Sequence, residues 1–182
     1  MKIVIDAGHG PETAGKRSPD GKLKEFHFTS RVAEEVKKQL AFSGHTVIFS
    51  HQARMDVPLH ERTRLANRLK ADLFVSIHAN AYGTSFNSVN GIETFTYTKP
   101  QAATKKVAGF IHSSLLLATG RQDRGVKQAN FAVLRDTVMP AVLVECGFMT
   151  HRQESELLKS AAYQKRCAKA IAFGVNCYDP YT

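Results

Sequence analysis

The 182-residue chain is short of several things, and each shortage excludes something. It holds three cysteines, an odd and small number that does not make a disulfide framework. Cys167 and Cys177 fall in one predicted helix about 15 Å apart at 1.5 Å per residue, too far to bridge, so stability is not expected to depend on oxidation. No stretch approaches the roughly 18 consecutive apolar residues of a membrane span. There is no internal repeat, no low-complexity tract and no linker rich in Pro, Gly and Ser. A secretory leader is not expected either, since Met1-Lys2 runs straight into the first apolar segment. Acidic residues are scarce beside basic ones, 16 against 25, for a formal charge of +9. Such a surface favours polyanions. No helix-turn-helix, zinc-finger or RNP-like motif accompanies the charge, so nucleic acid is not the expected partner.

What is present fits one compact domain: 43% of residues are hydrophobic, enough for a core that is stable unaided. Apolar strand-like runs alternate with segments of helical periodicity. Strands are predicted at Lys2–Asp6, His45–Ser50, Asp72–His78, Gly91–Tyr97, Phe131–Leu134 and Ala141–Glu145. Helices are predicted at Ser30–Ser43, through Leu59, Leu65, Ala66 and Leu69, and over Ala102–Leu117, Glu154–Leu158 and Ala161–Tyr178. Gly44 and Gly120 stand where helices end. This alternation predicts an α/β fold of three layers, a mostly parallel twisted sheet with helices on both faces.

Three apolar strands share a design. Ile3-Val-Ile-Asp-Ala-Gly-His9-Gly10 and Leu73-Phe-Val-Ser-Ile-His78 each end on a histidine, and Ala141-Val-Leu-Val-Glu145 ends on a glutamate. Ligands of open α/β sheets bind outside the carboxyl ends of the strands. Two imidazoles and acids at that edge describe a metal-hydrolase site, His₂Glu being a familiar zinc set. The carboxylate ligand is Glu12 or Glu25, both in the loop after His9, and spacing favours Glu25 only slightly. His27, two residues on, is the spare ligand. Gly8 and Gly10 let the backbone bend around His9, and Asp6 is placed to support the site or to cap the turn. Glu145 follows four apolar residues, so desolvation should raise its pKa and suit it to act as general base; its structural alternative is a buried ion pair. Cys146 must face away from Glu145 and belongs to the core. Arg121 and Arg124 are either contacts for an anionic substrate or merely solvated.

At these residues the chain resembles the zinc-dependent N-acetylmuramoyl-L-alanine amidases of bacterial cell-wall hydrolases and phage endolysins. The resemblance rests on Ile5-Asp-Ala-Gly-His9-Gly, Glu25, Arg62 with Ala66-Asn67, and Ala71-Asp-Leu-Phe-Val-Ser-Ile-His78-Ala-Asn-Ala. It continues through Gly91-Ile-Glu93, Arg124-Gly-Val-Lys and Pro140-Ala-Val-Leu-Val-Glu145-Cys-Gly-Phe148, in order along nearly the whole chain. Two departures are an alanine in Asp-Ala-Gly-His where proline is commoner, and Phe26-His27 where a charged pair is more usual. The resemblance implies one zinc ion held by His9, Glu25 and His78, and Glu145 as the catalytic carboxylate. It implies hydrolysis of the amide between N-acetylmuramic acid and L-alanine in peptidoglycan, at the bacterial wall. Asn80 is then the expected oxyanion donor and Arg124 a substrate contact, anionic wall polymers are further partners, and the protein is expected to work as a monomer. The catalytic domain is expected to occupy residues 1–178, with 179–182 a tail that suits the start of a linker.

Overall fold

The computed structural model describes residues 1–178; the expected tail lies outside the described residues. The elements run β1 (Lys2–Ala7), α1 (Glu25–Phe42), β2 (Thr46–Phe49), α2 (Leu59–Arg68), β3 (Leu73–Asn80), β4 (Ile92–Thr96), α3 (Ala102–Thr119), β5 (Asp123–Gln128), α4 (Ala132–Arg135), β6 (Ala141–Phe148), α5 (Arg152–Lys159) and α6 (Ala161–Asn176). They build a six-stranded sheet in the order β2-β1-β3-β6-β4-β5. β2, β1, β3 and β6 are mutually parallel, whereas β4 runs antiparallel to β6 and carries β5 parallel to itself. The α/β reading holds, and the reversal of one pair has a consequence. The carboxyl ends of β1, β3 and β6 meet the amino ends of β4 and β5 at a single edge.

Alternation along the strands separates two unequal faces. Ile3, Ile5, Leu73, Val75, Ile77, Val142, Val144 and Cys146 join the larger core, which α1, α3 and α6 cover. Val4, Phe74, Ala141 and Leu143 point the other way, into a small cluster beneath α2 and α4. Those helices have only 10 and 4 residues, so they cover part of that face and leave the strand ends uncovered. Asp6, Ser76, His78, Glu93 and Glu145 fall on this second face by the same two-residue period.

Three expectations need correction. Phe131–Leu134 is not a strand: Ala132–Arg135 forms one helical turn that buries Val133 and Leu134. A short apolar run does not distinguish the two by itself. β5 was not expected, because Asp-Arg-Gly-Val-Lys-Gln has no apolar alternation; it is an edge strand held by its pairing with β4. α1 starts at Glu25, five residues before the predicted Ser30, because Phe26, Phe28 and Thr29 are buried against the core and override weak local propensity.

The free thiols of Cys146 and Cys167 are buried, and Cys146 lies on the face away from Glu145 as expected. Cys177 follows the last residue of α6. Among the described residues no helix is long and apolar enough to cross a membrane.

Candidate metal centre

Glu25 opens α1, where the helix dipole favours a carboxylate, and reaches across the sheet edge. Its Oε1 accepts from the backbone N–H of Ala79 at 3.0 Å and lies 3.0 Å from His78 Nδ1, while its Oε2 lies 3.1 Å from His9 Nε2. One ligand atom from each of His9, Glu25 and His78 lies within 4.8 Å of the others, and this is the one such group among the described residues. Burial alone would raise the Glu25 carboxyl, but hydrogen bonds and charge from His78 and His9 prevail and hold it at about 2. Burial opposes a charge on His78 as well, yet Glu25 raises its pKa. Two nitrogens and one ionised oxygen converging from separate elements are a donor set suited to zinc.

Glu12, the alternative ligand, is exposed, with its backbone N–H on Asp56 Oδ1. His27 is also exposed. Because Glu25 is already helical, a residue two positions on points to the far side of α1.

The turn at His9 differs from expectation. The left-handed conformation belongs to His9 itself, with φ 65°, and not to either flanking glycine. The glycines provide room. A Cβ on Gly8 would lie 2.4 Å from the His78 ring, and one on Gly10 would lie 2.0 Å from Asp56. Arg62, 2% exposed, holds the turn by donating to the carbonyls of Ala7, His9 and Val57 and to Asp6 Oδ1. Asp6 therefore supports the site from beneath. Its Oδ1 also accepts from Ser50 Oγ and its Oδ2 from Ser76 Oγ, each at 2.6 Å.

Glu145 is level with His78 in the β3–β6 register. Its Oε2 is buried with no protein partner, and the side chain faces a cavity of about 840 Å³ shared with His9, Glu25 and His78. Burial pushes its carboxyl up to about 8; the charge of His78 opposes this, and those of Glu25 and Glu93 add to it. The alternative of a buried ion pair is thereby excluded for Glu145. It applies instead to Glu93, the neighbour across β4, whose carboxylate accepts from Arg124 Nε, Lys127 Nζ and Asn80 Nδ2 at 2.7, 2.6 and 2.8 Å. Burial would raise Glu93 too, but Lys127 and Arg124 bring it below the ordinary value.

In the sequence Glu93 belongs to the motif Gly91-Ile-Glu93 and has no expected role of its own. A charged residue alternating with Ile92 and Thr94 inside a strand was the available signal, since such a group needs partners. Asn80 lines the cavity; Arg124 does not, and its guanidinium lies over the Phe148 ring beside Glu93. Glu154 steadies this end of the sheet, accepting from the N–H groups of Phe148 and Gly91 and so tying β6 to the entry of β4. The cavity walls are apolar toward the short helices (Leu59, Phe131, Val133, Leu143), and Lys16 stands on its rim.

Fold and site together define an α/β domain with a candidate His-Glu-His metal centre and a partnerless glutamate beside it. The family described as N-acetylmuramoyl-L-alanine amidase (Amidase_3) matches residues 3–177. The chain is 39% identical to the N-acetylmuramoyl-L-alanine amidase LytC of Bacillus subtilis over 97% of its own length and 35% of LytC. It is 37% identical to the amidase CwlM of Bacillus licheniformis over 96% of its length and 67% of CwlM. The catalytic domain of CwlV, an N-acetylmuramoyl-L-alanine amidase from Paenibacillus polymyxa, superposes with a TM-score of 0.89 at 36% identity, covering 98% of each chain. An amidase of the same name from Clostridium difficile 630 superposes with a TM-score of 0.92 at 33% identity, covering 97% of this chain and 95% of its own. The chain belongs to the N-acetylmuramoyl-L-alanine amidase family. It spans about a third of LytC and two thirds of CwlM.

Proposed function

We propose that this chain hydrolyses the amide joining the lactyl group of N-acetylmuramic acid to the L-alanine of the stem peptide in peptidoglycan, with zinc held by His9, Glu25 and His78. One observation carries the reading: a buried glutamate with an unpartnered oxygen faces the same cavity as the three-ligand cluster and stands level with one of its histidines. A zinc ion there would supply Lewis-acid polarisation of the scissile carbonyl and acidify the attacking water. Glu145 takes the proton of that water and returns it to the departing amine of L-alanine. Added positive charge beside Glu145 draws its carboxyl down from about 8 toward neutrality, where it can both accept and return a proton.

Asn80 uses one Nδ2 hydrogen on Glu93 and its Oδ1 on Ala81 N–H, which leaves one amide hydrogen for a substrate oxygen. Arg124 acts on the reaction through Glu93. Residues 1–178 form the catalytic domain, a monomer working at the wall, and the +9 surface favours anionic wall polymer in a salt-sensitive manner.

The test joins metal analysis to digestion of purified peptidoglycan by the parent and by Glu145→Gln. The expected result is bound zinc in both proteins, with new L-alanine amino termini and uncut glycan strands from the parent alone. New termini inside the stem peptide would replace the amidase reading with a peptidase. Wall binding that persists in both, without hydrolysis, would replace it with a binding module.

A further inference from the structure

Beneath the cluster, His78 makes a second contact that the ligand set does not require: its Nε2 lies 3.0 Å from Ser76 Oγ. Ser76 is two residues back on the same face of β3 and has no solvent exposure. Its hydroxyl oxygen is also 2.6 Å from Asp6 Oδ2, and Asp6 is 1% exposed. A hydroxyl has one hydrogen to give. The Asp6 carboxylate accepts from the buried Arg62 guanidinium at 2.9 Å on one oxygen and from Ser76 on the other, so the Ser76 hydrogen goes to Asp6. Ser76 Oγ is left as an acceptor toward His78, and the proton of that contact resides on Nε2.

We infer that Asp6 and Ser76 form a positioning relay that keeps a hydrogen on His78 Nε2 and so presents Nδ1, the nitrogen on the Glu25 side, as the ligand atom. The inference rests on the zinc reading above and adds how one ligand is oriented and in which tautomer. The remaining contacts agree with it. Asp6 Oδ1 receives Ser50 Oγ–H and Arg62 Nη1–H, so the carboxylate cannot rotate without orphaning a buried donor. Gly8 lets the backbone of the His9 turn lie against the His78 ring, fixing its plane from the other side. Neither Asp6 nor Ser76 touches the reacting atoms; both act through His78.

The same bookkeeping gives a variant that inverts the relay. In Asp6→Asn the amide oxygen must face Arg62, which only donates, so the amide nitrogen faces Ser76. The serine then accepts from Asn, turns its own hydrogen to His78 Nε2, and leaves the ring proton on Nδ1, where it blocks the ion. Ser76→Ala removes the relay without reversing it, and Ser76→Thr restores the hydroxyl.

The experiment measures zinc affinity by chelator competition, together with ¹⁵N spectra of histidine-labelled, zinc-loaded protein; circular dichroism and thermal melts check each fold. The parent should show His78 ligated through Nδ1 with a hydrogen on Nε2. Ser76→Ala should weaken zinc about 10- to 100-fold, Asp6→Asn at least as much, and Ser76→Thr should return to near the parent. A parent ligated through His78 Nε2 would overturn the relay, even if no variant folds. So would Ser76→Ala and Asp6→Asn proteins that bind zinc as tightly as the parent. A parent that binds no zinc would overturn the metal reading itself, and the relay with it.

Discussion

Glu93 and Glu145 face each other across the antiparallel β4–β6 pair, two carboxylates on one face of the sheet, and only Glu93 has cationic partners. Arg124 and Lys127 neutralise the first, and burial without a partner raises the second to about 8. Neighbouring acids driven apart in this way take different parts, one as a fixed charge and the other as a proton carrier.

Glu145→Gln keeps the shape of the side chain and removes its basicity. Wall hydrolysis should fall about 10²- to 10⁴-fold, the usual weight of a positioned general base, while bound zinc stays at the parent level. Counting freed L-alanine amino groups alongside metal content checks both halves.

The raised carboxyl also sets a pH dependence for the metal-free protein. Between pH 4.5 and about 8 the folded state keeps a proton on Glu145 that the unfolded chain has released, so this group's contribution to stability falls as pH rises through that window. Glu25 works in the opposite sense. Its folded pKa of about 2 contributes stability above 4.5 that is lost as pH falls toward 2. His51, half-buried and lowered to about 4 by desolvation, loses its contribution as pH falls from 6.5 to 4. Because His51 and His78 titrate in both proteins, urea unfolding of the chelated protein should show the parent losing stability relative to Glu145→Gln from pH 5 to pH 8, by at most a few kcal/mol. Equal slopes would contradict this account.

The charge on Glu93 should be readable in the pH–rate profile. Glu93→Gln removes a negative neighbour of Glu145 and frees two cations, so the acid limb should move to lower pH, by about one unit. Arg124→Ala removes positive charge and should move the limb upward. Shifts in the same direction for both would rule out an electrostatic link.

Two glycines separate room from flexibility. Gly8→Ala drives a Cβ to 2.4 Å from the His78 ring and should abolish zinc binding in a chain that still folds. Gly109, inside α3 with nothing within 4 Å of the built Cβ, should accept alanine with about 0.5–1 kcal/mol of added stability. Zinc titrations and thermal melts of the pair distinguish them.

The sheet and both histidines of the candidate cluster were legible because apolar strands ending in His9 and His78 express local pattern and topology together. Glu145 was legible for the same reason, as a charged residue where an apolar one would be expected. Glu25 was not resolved from Glu12 by spacing, because the choice depends on where α1 begins, and Phe26 and Phe28 set that through contacts distant in sequence. β5 escaped because an exposed edge strand owes its form to a neighbour and not to its own alternation. Ser76 is, by local pattern, a polar interruption of β3, and its part depends on Asp6 from β1 beside it. In each case the missing information was a partner far along the chain.

With α1, α3 and α6 massed on one side of the sheet and only α2 and α4 on the other, mechanical robustness and chemical contact are assigned to opposite surfaces. The sparsely roofed side holds the cavity, with His9, Glu25, His78 and Glu145 in its wall. Alterations to the two small roofing helices can reshape that cavity while the heavy side stays as it is.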